Sequence, residues 1–306
     1  MGVKKPLVSI IMNCYNSDRF LREAIESVYS QTYSNWEIIF WDNASTDGSE
    51  NIAKSYDDRI KYYQASETTP LGEARNLALS KAFGEYLAFL DCDDLYLPDK
   101  LERQVAIMRD NDYAMCYGSA IIIDKHGKQI KKTKVRNKSG YLLNKLLLHY
   151  EISMQSVMIR RSTLKDGALS FDKTLTYSPD YDLFMRVACT NSIGVIHDYI
   201  SQYRISDNSL SKQSLGVVST ELRHTLDFIS KAHPNLKQKF IKEFKASYAK
   251  LHYYNAVFRL YENDRRRAKR EIKKIMNLKF EYLILYFLLI LPLSNIKILK
   301  ILGREF

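Results

Sequence analysis

Short apolar runs alternate with amphipathic stretches along the first two thirds of the chain. Leu7–Met12 (LVSIIM) and Trp36–Trp41 (WEIIFW) are almost unbroken apolar runs, the pattern of strands buried on both faces of a sheet. Each leads into a polar loop, Asn13-Cys14-Tyr15-Asn16 after the first and Asp42-Asn43-Ala44-Ser45-Thr46-Asp47-Gly48 after the second, and then into a helical pattern. In the first of these helices, ending near Gln31, Leu21, Ala24, Ile25 and Val28 share one face, with Asn16 or Ser17 placed as N-cap. The second spans Ser49–Tyr56. Ile60–Gln64 is a shorter third strand, and Pro70–Phe83 a helix with Leu71, Ala74, Leu77 and Ala78 inward and Arg75 and Asn76 at its edge. This rhythm predicts an α/β fold, a mainly parallel sheet with helices on both faces.

The stretch Gly84–Pro98 (GEYLAFLDCDDLYLP) breaks the rule that polar loops are bland. Tyr86–Leu90 is a fourth apolar strand, and Asp91, Asp93 and Asp94 stand directly at its end. Carboxylates gathered at the rim of a core repel one another and lose hydration unless a cation offsets them. A turn capping the helix that Pro98 begins would account for Asp94 or Asp99, but less well for the whole group. In an open α/β sheet, ligands bind at the carboxyl ends of the strands, and a divalent metal held by carboxylates and substrate phosphates fits that position.

Beyond the acids, Pro98–Asp110 reads as a helix and Tyr113–Asp124 as a long strand, turned at His126-Gly127 within a basic stretch, Lys125–Lys138, that forms a loop or hairpin. Val157–Arg160 is a short strand, Ser178-Pro179-Asp180 opens a helix over Tyr181–Cys189, and two strands, Gly194–His197 and Ser201–Arg204, close the compact part. From about Thr220 long helical patterns rich in Lys, Tyr and Phe take over. The expected division is therefore a domain over 1–219 and a helical extension over 220–306.

Charge sharpens this division. Residues 222–306 hold 19 Lys and Arg against 7 Asp and Glu, a balance of +12, whereas residues 1–221 hold 27 against 28. The basic quarter calls for a polyanionic neighbour, nucleic acid or an anionic membrane. Cys14, Cys92, Cys116 and Cys189 form no CxxC pair, which favours a reduced, cytosolic chain. The start MGVKKPLVSII goes straight into a strand, without the apolar region of a secretory signal. No P-loop, GxGxxG, GxSxG or HExxH is present, so neither a glycine-rich phosphate cradle nor a dinucleotide site is indicated. What remains is metal-assisted chemistry on a phosphorylated ligand, with acids from three strand ends (Asp42, the Asp91 group, Asp180) and one carboxylate free as base. Taken singly, Asp42 also fits an Asx-turn or helix cap, Arg75 a surface residue paired with Glu73 or Glu85, and Asp180 an acid favoured by a helix N-terminus.

Over roughly residues 6–211 the chain resembles the family 2 glycosyltransferases of GT-A fold, of the bacterial cell-surface polysaccharide type. The matching segments are PLVSIIMNCYN, SVYSQTYSNWEIIFWDNASTDGS, LGEARNLALSKAFGEYLAFLDCDD with LPDKLERQ, and SPDYDLFMRV. The resemblance implies that Asp42, beside the Asn13–Tyr15 loop, faces the base or ribose of a nucleotide-sugar, and that Arg75 contacts the nucleotide too. It makes Asp91 and Asp93 the DxD, with Asp93 the direct ligand of Mn²⁺ or Mg²⁺ on the diphosphate and Asp91 shared between donor and metal. Asp180 becomes the general base of an inverting transfer from a nucleotide-sugar, a UDP-sugar by family preference, to a lipid-linked or polysaccharide acceptor. Two positions depart from the pattern. Asn13 stands where many members have proline, and Ser206 stands where many carry a histidine two residues after the pair matched here by Tyr203-Arg204. Ser206 is a poor metal ligand, with His197 as a substitute.

The apolar end adds a location. Tyr282–Leu293 is too short, and contains Pro292; a spanning helix needs about 20 apolar residues. Preceded by Arg265–Lys274, it predicts contact with an anionic membrane surface through residues 264–306, on the cytoplasmic face. A C-terminal helix folded back onto the catalytic domain is the alternative. A nucleic-acid binder and a non-catalytic scaffold are the rival functions. The basic region carries no nucleic-acid motif, and Asp93 and Asp180 argue against a scaffold.

Overall fold

The computed structural model describes residues 5–164, 169–205 and 215–302. They fall into two compact units, residues 1–143 with 150–207, and residues 144–149 with 208–306. Ser206 lies outside the described residues.

The first unit is built on a nine-stranded mixed sheet. Its strands are β1 Val8–Cys14, β2 Trp36–Asp42, β3 Ile60–Gln64, β4 Tyr86–Phe89, β5 Leu95–Tyr96, β6 Met115–Ile123, β7 Gln129–Thr133, β8 Met158–Arg160 and β9 Ile193–Arg204. They run in the order β3-β2-β1-β4-β8-β6-β9-β5, with β7 on β6. β3, β2, β1 and β4 are all parallel, as the strand–loop–helix rhythm requires. The second half mixes directions: β8 is antiparallel to both β4 and β6, whereas β9 is parallel to β6. Ile10, Met12, Ile38 and Phe40 are fully buried, because the helices α1 (Asp18–Tyr29), α2 (Ser49–Lys54), α3 (Leu71–Leu79) and α4 (Lys100–Asp110) cover the sheet. α1 buries Leu21, Ala24, Ile25 and Val28, the face that the 3.6-residue spacing selects.

The structure corrects several local expectations. Ser17 occupies the N-cap of α1, but its side chain makes no cap bond. The cap comes from the next loop: Asp47 Oδ2 accepts the Asp18 N–H at 2.9 Å, and Ser49 Oγ the Ser17 N–H at 3.2 Å. Asn16, at φ +47°, accepts the Thr46 N–H at 2.8 Å. The first two strand-end loops are thus stitched into one surface. β9 is one strand, not two. His197 and Asp198 interrupt its apolar pattern, and register shifts opposite Gly118–Ala120 absorb the interruption without ending the ladder. The basic stretch does form a hairpin, β6–β7, turned at Gly127 (φ +77°) with Asp124 accepting two backbone N–H groups.

The second unit is helical: Leu215–Ala232, Pro234–Lys239, Ile241–Tyr261, Arg265–Lys273, Phe280–Leu288 and Asn295–Ile301. Its core joins Ala256, Leu260, Ala268, Ile272, Leu285 and Ile298. Arg265, first of the basic cluster, is structural: its guanidinium donates to the carbonyls of Leu288, Leu289, Leu291 and Leu293. The carbonyls of Leu288 and Leu289 are among those at the end of the Phe280–Leu288 helix, and those of Leu291 and Leu293 belong to the turn after it. That helix is apolar on two sides. Tyr282, Leu285 and Leu289 face the core, while Phe280, Ile284 and Phe287 are exposed. Among the described residues no helix is long and apolar enough to cross a membrane.

Candidate active site

Because β2, β1 and β4 run parallel, the loops that follow them share one edge of the sheet. Asp42 ends β2 in register with Cys14 of β1. Its carboxylate is fully buried, with Oδ1 accepting the Ser45 N–H at 2.8 Å and Oδ2 the Tyr62 hydroxyl at 2.7 Å. The first bond is of the Asx-turn kind, and it shapes the loop 42–47. Beside it, Asn13 has a buried amide nitrogen without a partner, and Tyr15 is 54% exposed. Cys92 Sγ donates to the Asn13 carbonyl at 3.3 Å, tying the loop after β4 to the end of β1.

The three acids after β4 have three fates. Asp91 is half-buried and receives Arg75 Nη2 at 3.3 Å. Asp93 is half-buried, and desolvation, reinforced by the charge of Asp91, lifts its carboxyl to about 6. Asp94 is inward and buried: Oδ1 accepts the Arg204 backbone N–H at 2.8 Å, and Oδ2 has no partner. Desolvation and the neighbouring acids push its carboxyl well above the usual range. A run that reads as one acidic cluster is therefore two outward carboxylates and one internal bond.

Arg75 and Asp180 complete the edge. Arg75, 4% exposed on α3, pairs with neither Glu73 nor Glu85; it reaches Asp91 and lies 5.4 Å from the Phe171 ring. Its helix is held against the segment before Asp180. Asn76 exchanges two hydrogen bonds with the Phe171 backbone, and Gly72 lies so close to Asp172 that an added Cβ would stand 2.1 Å from its carbonyl oxygen. Asp180 sits in the first turn of α5 (Pro179–Thr190). Its carboxyl is raised by desolvation, with Arg75 opposing and Asp91 adding to the shift. Asp180, Arg75 and Asp91 thus act on one another across loops far apart in sequence. The neighbouring acid of the same motif, Asp182, is buried and paired with Arg186 at 2.7 Å.

Sequence reasoning gave Arg204 and Tyr150 no role. Arg204 is buried behind the Asp91–Asp94 loop, its Nε donating to the Asp93 carbonyl at 2.8 Å. Tyr150 has a buried hydroxyl without a partner; its ring lies 4.8 Å from that of Tyr181, and the Asp180 charge reaches it. His197, offered as a substitute for Ser206, lies on β9 seven residues before Arg204, with Nδ1 at 3.3 Å from the Val135 carbonyl. The opposite edge of the sheet carries a cleft lined by Lys5, Asn35, Phe83, Glu85, Arg160 and Arg161. There the two guanidinium groups bind backbone carbonyls of Met108 and Gly84, and no acids gather.

The outward carboxylates suit a hard divalent cation. Asp93 is desolvated beside a second carboxylate, both of which raise its pKa, a pairing that a divalent cation would relieve. Among the described residues there is no group of three or more His, Cys, Asp or Glu that could hold a metal ion.

Comparison with known proteins identifies the family and the fold. Residues 9–166 match the profile of Glycosyl transferase family 2. The chain is 32% identical over 229 residues to the UDP-Glc:alpha-D-GlcNAc-diphosphoundecaprenol beta-1,3-glucosyltransferase WfgD of Escherichia coli, covering 73% of this chain and 87% of that one. Its fold is similar to that of S. aureus TarS in complex with UDP (TM-score 0.56, 21% identity, 73% of this chain and 70% of that one). It is likewise similar to the mannosyltransferase PcManGT from Pyrobaculum calidifontis in complex with GDP-Man and Mn²⁺ (TM-score 0.59, 15% identity, 98% and 88%). The chain has the GT-A-like mixed α/β fold of these neighbours and belongs to glycosyltransferase family 2.

Proposed function

We propose that this glycosyltransferase moves a sugar, with inversion, from a UDP-sugar to a lipid-linked oligosaccharide or related polysaccharide acceptor. The observation that carries the reading is the meeting of Asp180 with Arg75 and Asp91 on the edge where β1, β2 and β4 end. The UDP in the TarS complex and the donor and acceptor named for WfgD support the substrate classes.

In this reading Asp180 takes the proton of the acceptor hydroxyl as that oxygen attacks the anomeric carbon. Its desolvated carboxylate is a stronger base than one in water, with the Arg75 charge opposing the rise. Asn13, Tyr15 and the Asp42 loop receive the nucleoside, with the unpartnered Asn13 amide as donor to it. Arg75 and Asp91 border the diphosphate. Asp93, with Asp91, would hold Mn²⁺ or Mg²⁺, and when bound the cation would offset the negative charge of the departing nucleoside diphosphate.

A lipid-linked acceptor also gives the second unit a task. Exposed Phe280, Ile284 and Phe287, with Lys273, Lys274, Lys297 and Lys300 nearby in the chain, suit peripheral docking on the anionic inner face of a cell membrane. The first experiment is a screen of nucleotide-sugars with Mn²⁺, reading thermal shift and release of nucleoside diphosphate with and without a polyprenyl-diphosphate-sugar acceptor. A bound donor raises the unfolding midpoint by mass action. No shift and no release with any UDP-sugar would reject the donor assignment.

A further inference from the structure

The acidic run contains a residue that the proposed reaction leaves without a task. Asp94 points inward, accepting the Arg204 backbone N–H at 2.8 Å, while its own N–H donates to the Asp91 carbonyl at 3.1 Å. Arg204, only 1% exposed, sends its Nε to the Asp93 carbonyl at 2.8 Å and its Nη2 to Glu23 Oε2 at 2.7 Å. Its guanidinium also lies 4.3 Å from the Phe20 ring. One residue at the end of β9 thus makes bonds to two successive residues of the loop after β4, and α1 holds it from behind.

Burying a guanidinium is costly unless its donors are met. Here one donor is spent on the backbone of the residue whose carboxylate faces the candidate cation position. The carbonyl and side chain of Asp93 branch from one Cα, so fixing the first restricts where the second points. We infer that Arg204 and Asp94 form a positioning latch that aims the Asp93 carboxylate at a divalent cation, with Glu23 and Phe20 keeping the guanidinium in place. The inference rests on the proposed function, because it requires Asp93 to be a metal ligand. Partners that orient a ligand in this way are typically worth 10- to 100-fold in metal affinity.

The test is Mn²⁺ binding in the presence of UDP, read by the EPR signal of free Mn²⁺, for the parent, Arg204→Met, Glu23→Gln, Asp94→Ala and Asp94→Asn. UDP affinity without metal and the unfolding midpoint are measured alongside. Arg204→Met and Asp94→Ala weaken Mn²⁺ binding by about 10- to 100-fold, with metal-free UDP affinity unmoved. Asp94→Asn stays close to the parent, because its amide oxygen accepts the same N–H, and Glu23→Gln falls between. Should Arg204→Met not fold, Asp94→Ala against Asp94→Asn carries the comparison. A parent that binds Mn²⁺ while folded Asp94→Ala and Glu23→Gln bind it equally well overturns the latch alone. A parent that binds no Mn²⁺ with UDP overturns the latch and the metal-dependent reading together.

Discussion

The two units deal with apolar surface in opposite ways. In the sheet unit the central strands β1, β2 and β4 are covered on both faces, so Ile10, Phe40 and Ala88 are fully buried and the candidate chemistry stands at their ends. In the helical unit the Phe280–Leu288 helix has more apolar side chains than its core can cover. Tyr282 and Leu285 are buried while Phe280 and Phe287 are 76% and 56% exposed. Unusual polarity therefore marks the candidate site of the first unit, and unusual apolarity the face proposed for membrane contact in the second.

Four measurements break or sharpen this contrast. The largest effect is expected for Asp180→Asn, which lowers kcat by about 10²- to 10⁴-fold with donor affinity and unfolding midpoint near the parent's; parental turnover would move the base elsewhere. Next, Leu21→Ala in the sheet core lowers unfolding free energy by roughly 2–5 kcal/mol, measured by urea denaturation. The triple change Phe280→Ser, Ile284→Ser, Phe287→Ser does the reverse. It weakens binding to anionic phospholipid vesicles by about tenfold or more and alters the midpoint little, as surface changes do. A large fall in stability with vesicle binding intact would make that face part of a core.

The fourth measurement concerns a cation buried in the sheet unit. Lys100 is fully buried, with Nζ 2.6 Å from Gln104 Oε1 and 4.0 Å from the Tyr96 ring centre. Burial lowers its pKa to about 7. From there to the ordinary lysine value the unfolded chain holds a proton that the folded chain lacks, so stability rises with pH across that window. Lys100→Met removes this dependence. Its stability advantage over the parent is largest near pH 7 and shrinks by roughly 1.4 kcal/mol per pH unit above it, as read from denaturation midpoints at a series of pH values.

What the chain disclosed beforehand follows the same contrast. Continuous apolar runs marked β1, β2 and β4, and the polar residues after them marked the edge where Asp42 and the Asp91 group stand, whereas Arg75 entered the site through the family resemblance alone. Features made by residues distant in sequence left no local mark. Asp94 read as one more acid of the group or as a helix-capping turn, because its partner, the Arg204 N–H, is 110 positions away. Asp47 caps a helix 29 residues before it, and β8 enters between β4 and β6 against the parallel rhythm. Arg265 read as part of a charged patch, since nothing local shows that it closes the end of a later helix. Periodicity reports which face is covered, not by what.

The close approach at Gly72 limits what this sequence could become. Any side chain there meets the Asp172 backbone and must force α3 away from the segment leading to Asp180, taking Arg75 with it. In a saturation library selected for sugar transfer, position 72 should return glycine alone, while Leu71 and Glu73 on either side accept many replacements. A hydrogen atom at that one place sets how near two halves of the chemistry can stand.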